Sequence, residues 1–139
     1  MTSEIGRDGR FIAYDNGTVL DTITNRMWAV KDNGYDINWA DAKSYCENYR
    51  GGGYMDWRMP TMAELDWFYD ANKSRVAACD RSNSIHFATE LIDISCFCVW
   101  AAETYGPNAA GGNYKIGGKG LVTKSYSKTI RALPVRFVK

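Results

Sequence analysis

Residues 51–69, GGGYMDWRMPTMAELDWFY, organise the rest of the chain. Gly51, Gly52 and Gly53 end whatever precedes them, because glycine alone enters left-handed backbone cheaply. Asp56-Trp57-Arg58-Met59-Pro60 cannot run as a helix, and Pro60 pushes Met59 into an extended conformation. Thr61 and Glu64 then form a capping box, the hydroxyl taking the Glu64 N–H and the carboxylate reaching back. The spacing predicts a helix from Met62 to about Tyr69, with Leu65, Phe68 and Tyr69 near one face. Trp57 is read as a buried indole. Arg58 is read as bonded to carbonyls or to Glu64 or Asp66, in preference to a ligand contact.

Working outward, 139 residues with 45% hydrophobic and 14% aromatic content fit one globular domain, residues 1–139, with a real core. No apolar run approaches the ~18 residues of a membrane span, so no membrane insertion is expected. MTSEIGRDGR at the start has no apolar signal core, which suits a cytoplasmic protein or a mature or excised piece of a larger one.

The net charge of +1 hides an asymmetry. From Thr104 onward there is no acid, and Lys115, Lys119, Lys124, Lys128, Arg131, Arg136 and Lys139 give +7; the first 103 residues set ten cations against sixteen acids, −6. Such halves suggest a cationic face, against the plain alternative of lysines on the wet side of strands. Cys46, Cys79, Cys96 and Cys98 allow two disulfides in three connectivities. With one C-x-C and a single histidine, His86, they lack zinc-site spacing, and free or partly paired thiols are expected.

Along the chain, Phe11–Tyr14 reads as a strand, Asp15-Asn16-Gly17 as a hairpin turn, and Thr18–Asp21 and residues 26–30 (RMWAV) as further strands, with Trp28 in the core. Residues 31–37 read as loop. Asn38 caps a first helix over residues 39–49, helped by Asp41, with Trp39, Ala42, Cys46 and Tyr49 at helical spacing. Residues 72–95 read as a short helix or irregular loop. Residues 96–102 (CFCVWAA) read as a buried strand and residues 104–120 as a long Gly/Asn/Tyr loop. Residues 121–124 and 132–138 read as strands, with Pro134 favouring an edge or bulge. Pairing of Phe11–Tyr14 with residues 136–138 would join the termini. The fold class expected is α+β: two early helices, mainly antiparallel strands and long late loops.

These residues resemble a bacterial family, DUF1566, also called the C-terminal domain of the Legionella collagen-like adhesin. Asn16-Gly17-Thr18-Val19, Asp21 and Met27-Trp28 are similar to its opening; Trp39-Ala40-Asp41-Ala42 and Tyr45-Cys46-Glu47-Asn48 to its helix. Gly53-Tyr54 with Asp56-Trp57-Arg58-Met59-Pro60-Thr61 and Glu64-Leu65 carry its most specific piece; Trp100 to Tyr105 and Val135-Arg136-Phe137-Val138 match its closing segments. The resemblance implies a C-type-lectin-like fold related to the formylglycine-generating enzymes, and a cell-surface or secreted setting. Phe137 stands where the family often has cysteine, the usual partner of Cys46, and Ala101-Ala102 replace serines.

The function expected is a non-catalytic, calcium-independent ligand-binding module of adhesin type. It would recognise polysaccharide, sulfated or otherwise anionic, or a cell-surface protein. Trp100, Tyr105, Asn108, Asn113, Tyr114 and Tyr126 would supply flat faces and amides from the late loops; Lys115, Lys119, Lys124 and Lys128 would supply charge. Trp28, Trp39, Trp57, Arg58, Thr61 and Glu64 are read as structural. One variant is a receptor whose loop residues are diversified. An enzyme of the formylglycine-generating type, with Cys96 and Cys98 on one strand face holding copper, is the disfavoured alternative, since spacing and length differ. No cofactor or metal is expected. Asp66 and Asp70 read as a solvated edge and His86 as an ordinary histidine. There is no nucleophile elbow, P-loop or dinucleotide fingerprint. The Glu-Pro-Asn and Trp-Asn-Asp triplets of calcium-dependent lectins are missing, and no nucleic-acid module is recognisable.

Overall fold

The computed structural model describes residues 2–138. Strands β1 (Glu4–Asp8), β2 (Phe11–Tyr14), β3 (Thr18–Asp21) and β4 (Arg26–Ala29) form a meander. Helix α1 (Trp39–Asn48), a 3-10 turn at Gly51–Gly53 and helix α2 (Met62–Asp66) follow. Then come β5 (Arg75–Ala77), β6 (Asp80–Ile85), β7 (Cys98–Tyr105), β8 (Asn108–Asn113), β9 (Lys119–Thr123), β10 (Ile130–Arg131) and β11 (Val135–Phe137). One antiparallel sheet has the order β1-β2-β3-β4-β11, a second the order β10-β7-β8-β9 with β10 parallel to β7, and β5-β6 is a separate hairpin.

The expected α+β, C-type-lectin-like class is overturned: strands dominate the described residues, and helix is confined to two short elements. Three local differences account for this. α2 stops at Asp66, because Phe68 turns into the core and Tyr69 bridges to Phe87. Residues 72–95 hold the β5-β6 hairpin, whose polar outer face hid its alternation. Residues 104–120 contain strand β8 and the start of β9, so they are not a long loop. The small residues of β8 mark close packing. A Cβ on Gly111 would come within 3.3 Å of the Val99 carbonyl and of Ile130, and one on Gly112 within 3.4 Å of Met62. The termini do not pair as expected either. β11 lies against β4, at the sheet edge that Pro134 favoured, while β2 sits between β1 and β3.

The early elements follow their local chemistry. Asn38 accepts the Asp41 N–H at 2.9 Å and starts α1; the left-handed Gly52 and Gly53 turn the chain after it. Two apolar clusters flank the second sheet. On the α2 side Trp28, Phe68, Phe87 and Tyr114 make successive ring contacts with centroids 4.5, 4.7 and 4.8 Å apart. On the α1 side Trp100 packs with Ile37, Ala42, Cys46, Met59 and Ile130.

The corner at residues 56–61 joins these layers. Arg58 exchanges both backbone hydrogen bonds with Val135 of β11 (2.9 and 3.0 Å). Its guanidinium grips Glu64 with two bonds, 2.8 and 2.7 Å, and Arg26 of β4 donates to the same carboxylate at 2.7 Å. The Phe137 ring lies 4.1 and 4.4 Å from the two guanidinium carbons. Glu64 also completes the capping box with Thr61, and Trp57 is buried with its indole N–H on the Gly51 carbonyl.

Burial alone would raise the Glu64 pKa. The bonds from Arg58, the Thr61 N–H and Arg26 outweigh burial and hold it at about 2, against an ordinary 4.5. A depressed carboxyl stabilises the fold fully above its unfolded pKa and loses that contribution as pH falls through the folded value. Stability measured by urea unfolding is therefore expected to drop by on the order of 3 kcal/mol between about pH 5 and pH 2 from this group. Glu64→Gln should be less stable at pH 7 and show a correspondingly flatter acid limb. A wild-type acid limb no steeper than the variant's would show the triad to be inert.

Candidate binding cleft

β7 carries a register shift between Trp100 and Thr104. Bulges of this kind re-aim a strand. Here the displaced Ala102 N–H donates to the Pro60 carbonyl at 2.8 Å, and Glu103 turns towards α2, where its carboxylate accepts the Met62 N–H at 3.0 and 3.2 Å. The result is an open cleft of about 480 Å³ between α2 and the second sheet. Its lining is Met62, Ala63 and Asp66 from α2, Glu103 and Tyr105 from β7, Ala110 from β8, and Lys119, Gly120 and Leu121 from β9. Tyr105 and Leu121 are 58% and 57% exposed there. The cleft thus offers one aromatic ring, an exposed Leu121 with smaller apolar neighbours, two carboxylates and one ammonium group.

The residues expected to face a ligand divide. Tyr105 and Lys119 meet in the cleft. Trp100 and Tyr114 are withdrawn from the set: both are core, with Trp100 Nε1 on the Ile37 carbonyl (2.8 Å) and the Tyr114 hydroxyl on the Leu65 carbonyl (2.6 Å). Asn113 shapes the β8-β9 turn, its Oδ1 accepting the Lys115 and Ile116 N–H groups. Asn108 is half-buried at the start of β8, opposite Tyr105 and Thr123. Tyr126 is exposed in the turn after β9. The Lys115 ammonium lies 5.5 Å from the Phe97 ring and that of Lys124 5.1 Å from Trp39, while exposed Lys128 acts on Asp36. Trp39 donates its indole N–H to the Ala101 carbonyl.

The +7 segment does not form one cationic face. Arg131 is buried and paired with Asp36; Arg136 is buried and paired with Asp56. Lys139 lies outside the described residues. Sequence reasoning missed Glu103 and Leu121 and left Asp66 as a solvated edge. The available signal was period-two alternation: with β7 extended to Tyr105, Ala101, Glu103 and Tyr105 share a face.

The cysteines separate as well. Cys79 and Cys96 form a disulfide that fastens the β5-β6 hairpin to the segment before β7, while Cys46 and Cys98 are free. Cys96 precedes β7 and is bonded away from Cys98, so the pair once considered for copper is not a dithiol.

Comparison with protein families matches residues 17–138 to the Lcl C-terminal domain. The chain belongs to that family. Membership makes it an adhesin-type module of the kind carried by a collagen-like surface protein. Comparison with curated proteins finds no match. No helix among the described residues is long and apolar enough to cross a membrane.

Burial pushes the Cys98 thiol up to about 11, against a smaller pull from Lys115, and raises that of Cys46 further. Since the thiolate is the reactive form, native protein at pH 7.5 (roughly an unperturbed thiol's range) should alkylate slowly at both positions. Denaturation without reductant should expose two reactive thiols, and reduction all four, as read by mass spectrometry. Rapid native labelling of Cys79 or Cys96 would contradict the disulfide.

Proposed function

We propose that this Lcl C-terminal domain is a non-catalytic adhesin module that binds polysaccharide directly in the cleft between α2 and β9. The observation that carries the reading is the placement of the Tyr105 ring beside Leu121, Glu103, Asp66 and Lys119 in an open, preformed groove. An aromatic face covers the C–H face of a sugar ring, and carboxylates and an ammonium group accept from and donate to its hydroxyls. A groove open to solvent suits a segment of a longer chain rather than a buried small molecule. Among the described residues no three His, Cys, Asp or Glu side chains gather as a metal site, and the contacts proposed need none.

Within the anionic-or-neutral choice, the groove favours uncharged sugars. Two carboxylates against one lysine repel sulfate groups at the point of contact, and the two arginines of the cationic segment are spent on internal ion pairs. A non-catalytic role agrees with the adhesin-type family and with a free Cys98 held protonated at neutral pH.

A glycan array read at two ionic strengths tests this. Binding to neutral polysaccharides should change little with salt, and Tyr105→Ala should weaken it about tenfold, the ~1.4 kcal/mol typical of one aromatic contact, with an unchanged melting temperature. Selective binding of sulfated chains that high salt abolishes, indifferent to Tyr105→Ala, would overturn the proposal.

A further inference from the structure

β9 ends the second sheet, and among the described residues one of its two edges has no strand beside it. The register determines which backbone groups that edge presents. Gly120 lies opposite Gly111 and Val122 opposite Ala109. Outside the strand the Asn113 N–H donates to the Gly118 carbonyl and the Lys124 N–H to the Pro107 carbonyl. In an antiparallel pair every second residue bonds to its neighbour, so residues 118, 120, 122 and 124 face β8. Lys119, Leu121 and Thr123 therefore direct their N–H and C=O groups outward. Among the described residues the Thr123 carbonyl alone of these has another backbone partner, the Tyr126 N–H at 2.9 Å.

Such an edge is a template for strand addition. Natural sheets guard their edges with proline, a bulge, a covering loop or lysine charge, and lysine is the device present here. β9 has no proline and an unshifted register, and Lys119, Gly120, Leu121 and Thr123 are all exposed.

The charges choose the occupant. Lys119 begins the strand and Lys124 follows it; Lys115 and Lys128 lie in the turns on either side, and no acid occurs anywhere from Thr104 onward. A second copy pairing antiparallel about Leu121 would set Lys119 of each strand opposite Thr123 of the other and one residue from its Lys124, on the other face of the sheet, so each end of the junction gathers two ammonium groups with no carboxylate from either β9. An incoming strand with carboxylates at its ends meets the same lysines as partners. Asp66 and Glu103 line the cleft together with Lys119, from α2 and β7, and neither belongs to β9.

The geometry points to β9 as a docking edge for an extended, acid-flanked segment of a partner protein, added as a fifth strand to the second sheet. The site adjoins the polysaccharide cleft and shares Lys119 and Leu121 with it, but it uses the backbone edge and the lysine charge and does not use Tyr105.

A peptide of alternating threonine and valine with glutamates at both ends is the probe, added to the whole domain at low salt and followed by fluorescence anisotropy and amide hydrogen exchange. The Lys119, Leu121 and Thr123 amides should exchange freely without peptide and slow at least tenfold with it, while Gly120 and Val122 stay as protected as before. Leu121→Pro removes an outward N–H and no bond to β8; it should cost at least tenfold in affinity with the β8 amides still protected. The double change Lys119→Glu, Lys124→Glu should transfer preference to a lysine-ended peptide. Tyr105→Ala should leave peptide binding intact, which separates this result from the fate of the polysaccharide reading. Lack of peptide binding, equal binding of glutamate- and lysine-ended peptides by wild type, or a concentration-dependent dimer dissolved by Leu121→Pro would each overturn the inference, the last by giving the edge to a second copy.

Discussion

One nearly inaccessible carboxylate holds the architecture together. Glu64 receives Arg58 from its own corner and Arg26 from β4, and the Arg58 backbone is simultaneously paired with Val135 of β11. A carboxylate in apolar surroundings is tolerated only when its lone pairs are filled. Here two guanidinium groups and the Thr61 N–H fill them. The triad keeps a net positive charge, and the Phe137 ring lies against both cations. Position, rather than raw stabilisation, is what the arrangement supplies. α2 cannot slide along the sheet without breaking contacts to β4 and β11 together. Since α2 is one wall of the cleft, the cleft inherits that rigidity.

The second wall depends on a steric constraint. β8 runs through the middle of its sheet between α2 on one side and the Trp100 cluster on the other, and its Ala-Ala-Gly-Gly sequence leaves room for both. The same smallness made the segment read as a loop. Glycine and asparagine are turn formers in isolation, and burial between two layers is a tertiary fact with no local signature. The polar β5-β6 hairpin escaped for the complementary reason: its alternation is weak because most of it faces solvent.

What was legible is what local chemistry decides alone. The Asp15-Asn16-Gly17 turn, the Asn38 cap, the Thr61–Glu64 box and the glycine stop each satisfy backbone groups within a few residues, so sequence spacing sufficed. The partner of Arg58 was readable because Glu64 lies one helical turn beyond the corner. Arg26, 38 residues earlier, was not, and neither was the cleft. Glu103 became visible only once β7 ran on to Tyr105 and set its carboxylate on the Met62 N–H, and Tyr114 only once a strand replaced the expected loop and carried its hydroxyl to Leu65.

Charge segregation along the chain likewise fails to become segregation in space. The early part carries all the acids and the late part only cations, and folding brings them together: Asp36 to Arg131 across 95 positions, Asp56 to Arg136 across 80. A buried guanidinium requires a partner, so the arginines, placed in β10 and β11 against earlier loops, are the cations consumed. The lysines, with flexible stems and compact heads that stay hydrated, remain at the surface and cluster around β9. The surviving positive charge therefore marks the ends of one strand and not a face of the molecule. A short extended segment charged at its ends is the ligand shape that the docking-edge proposal matches to that distribution.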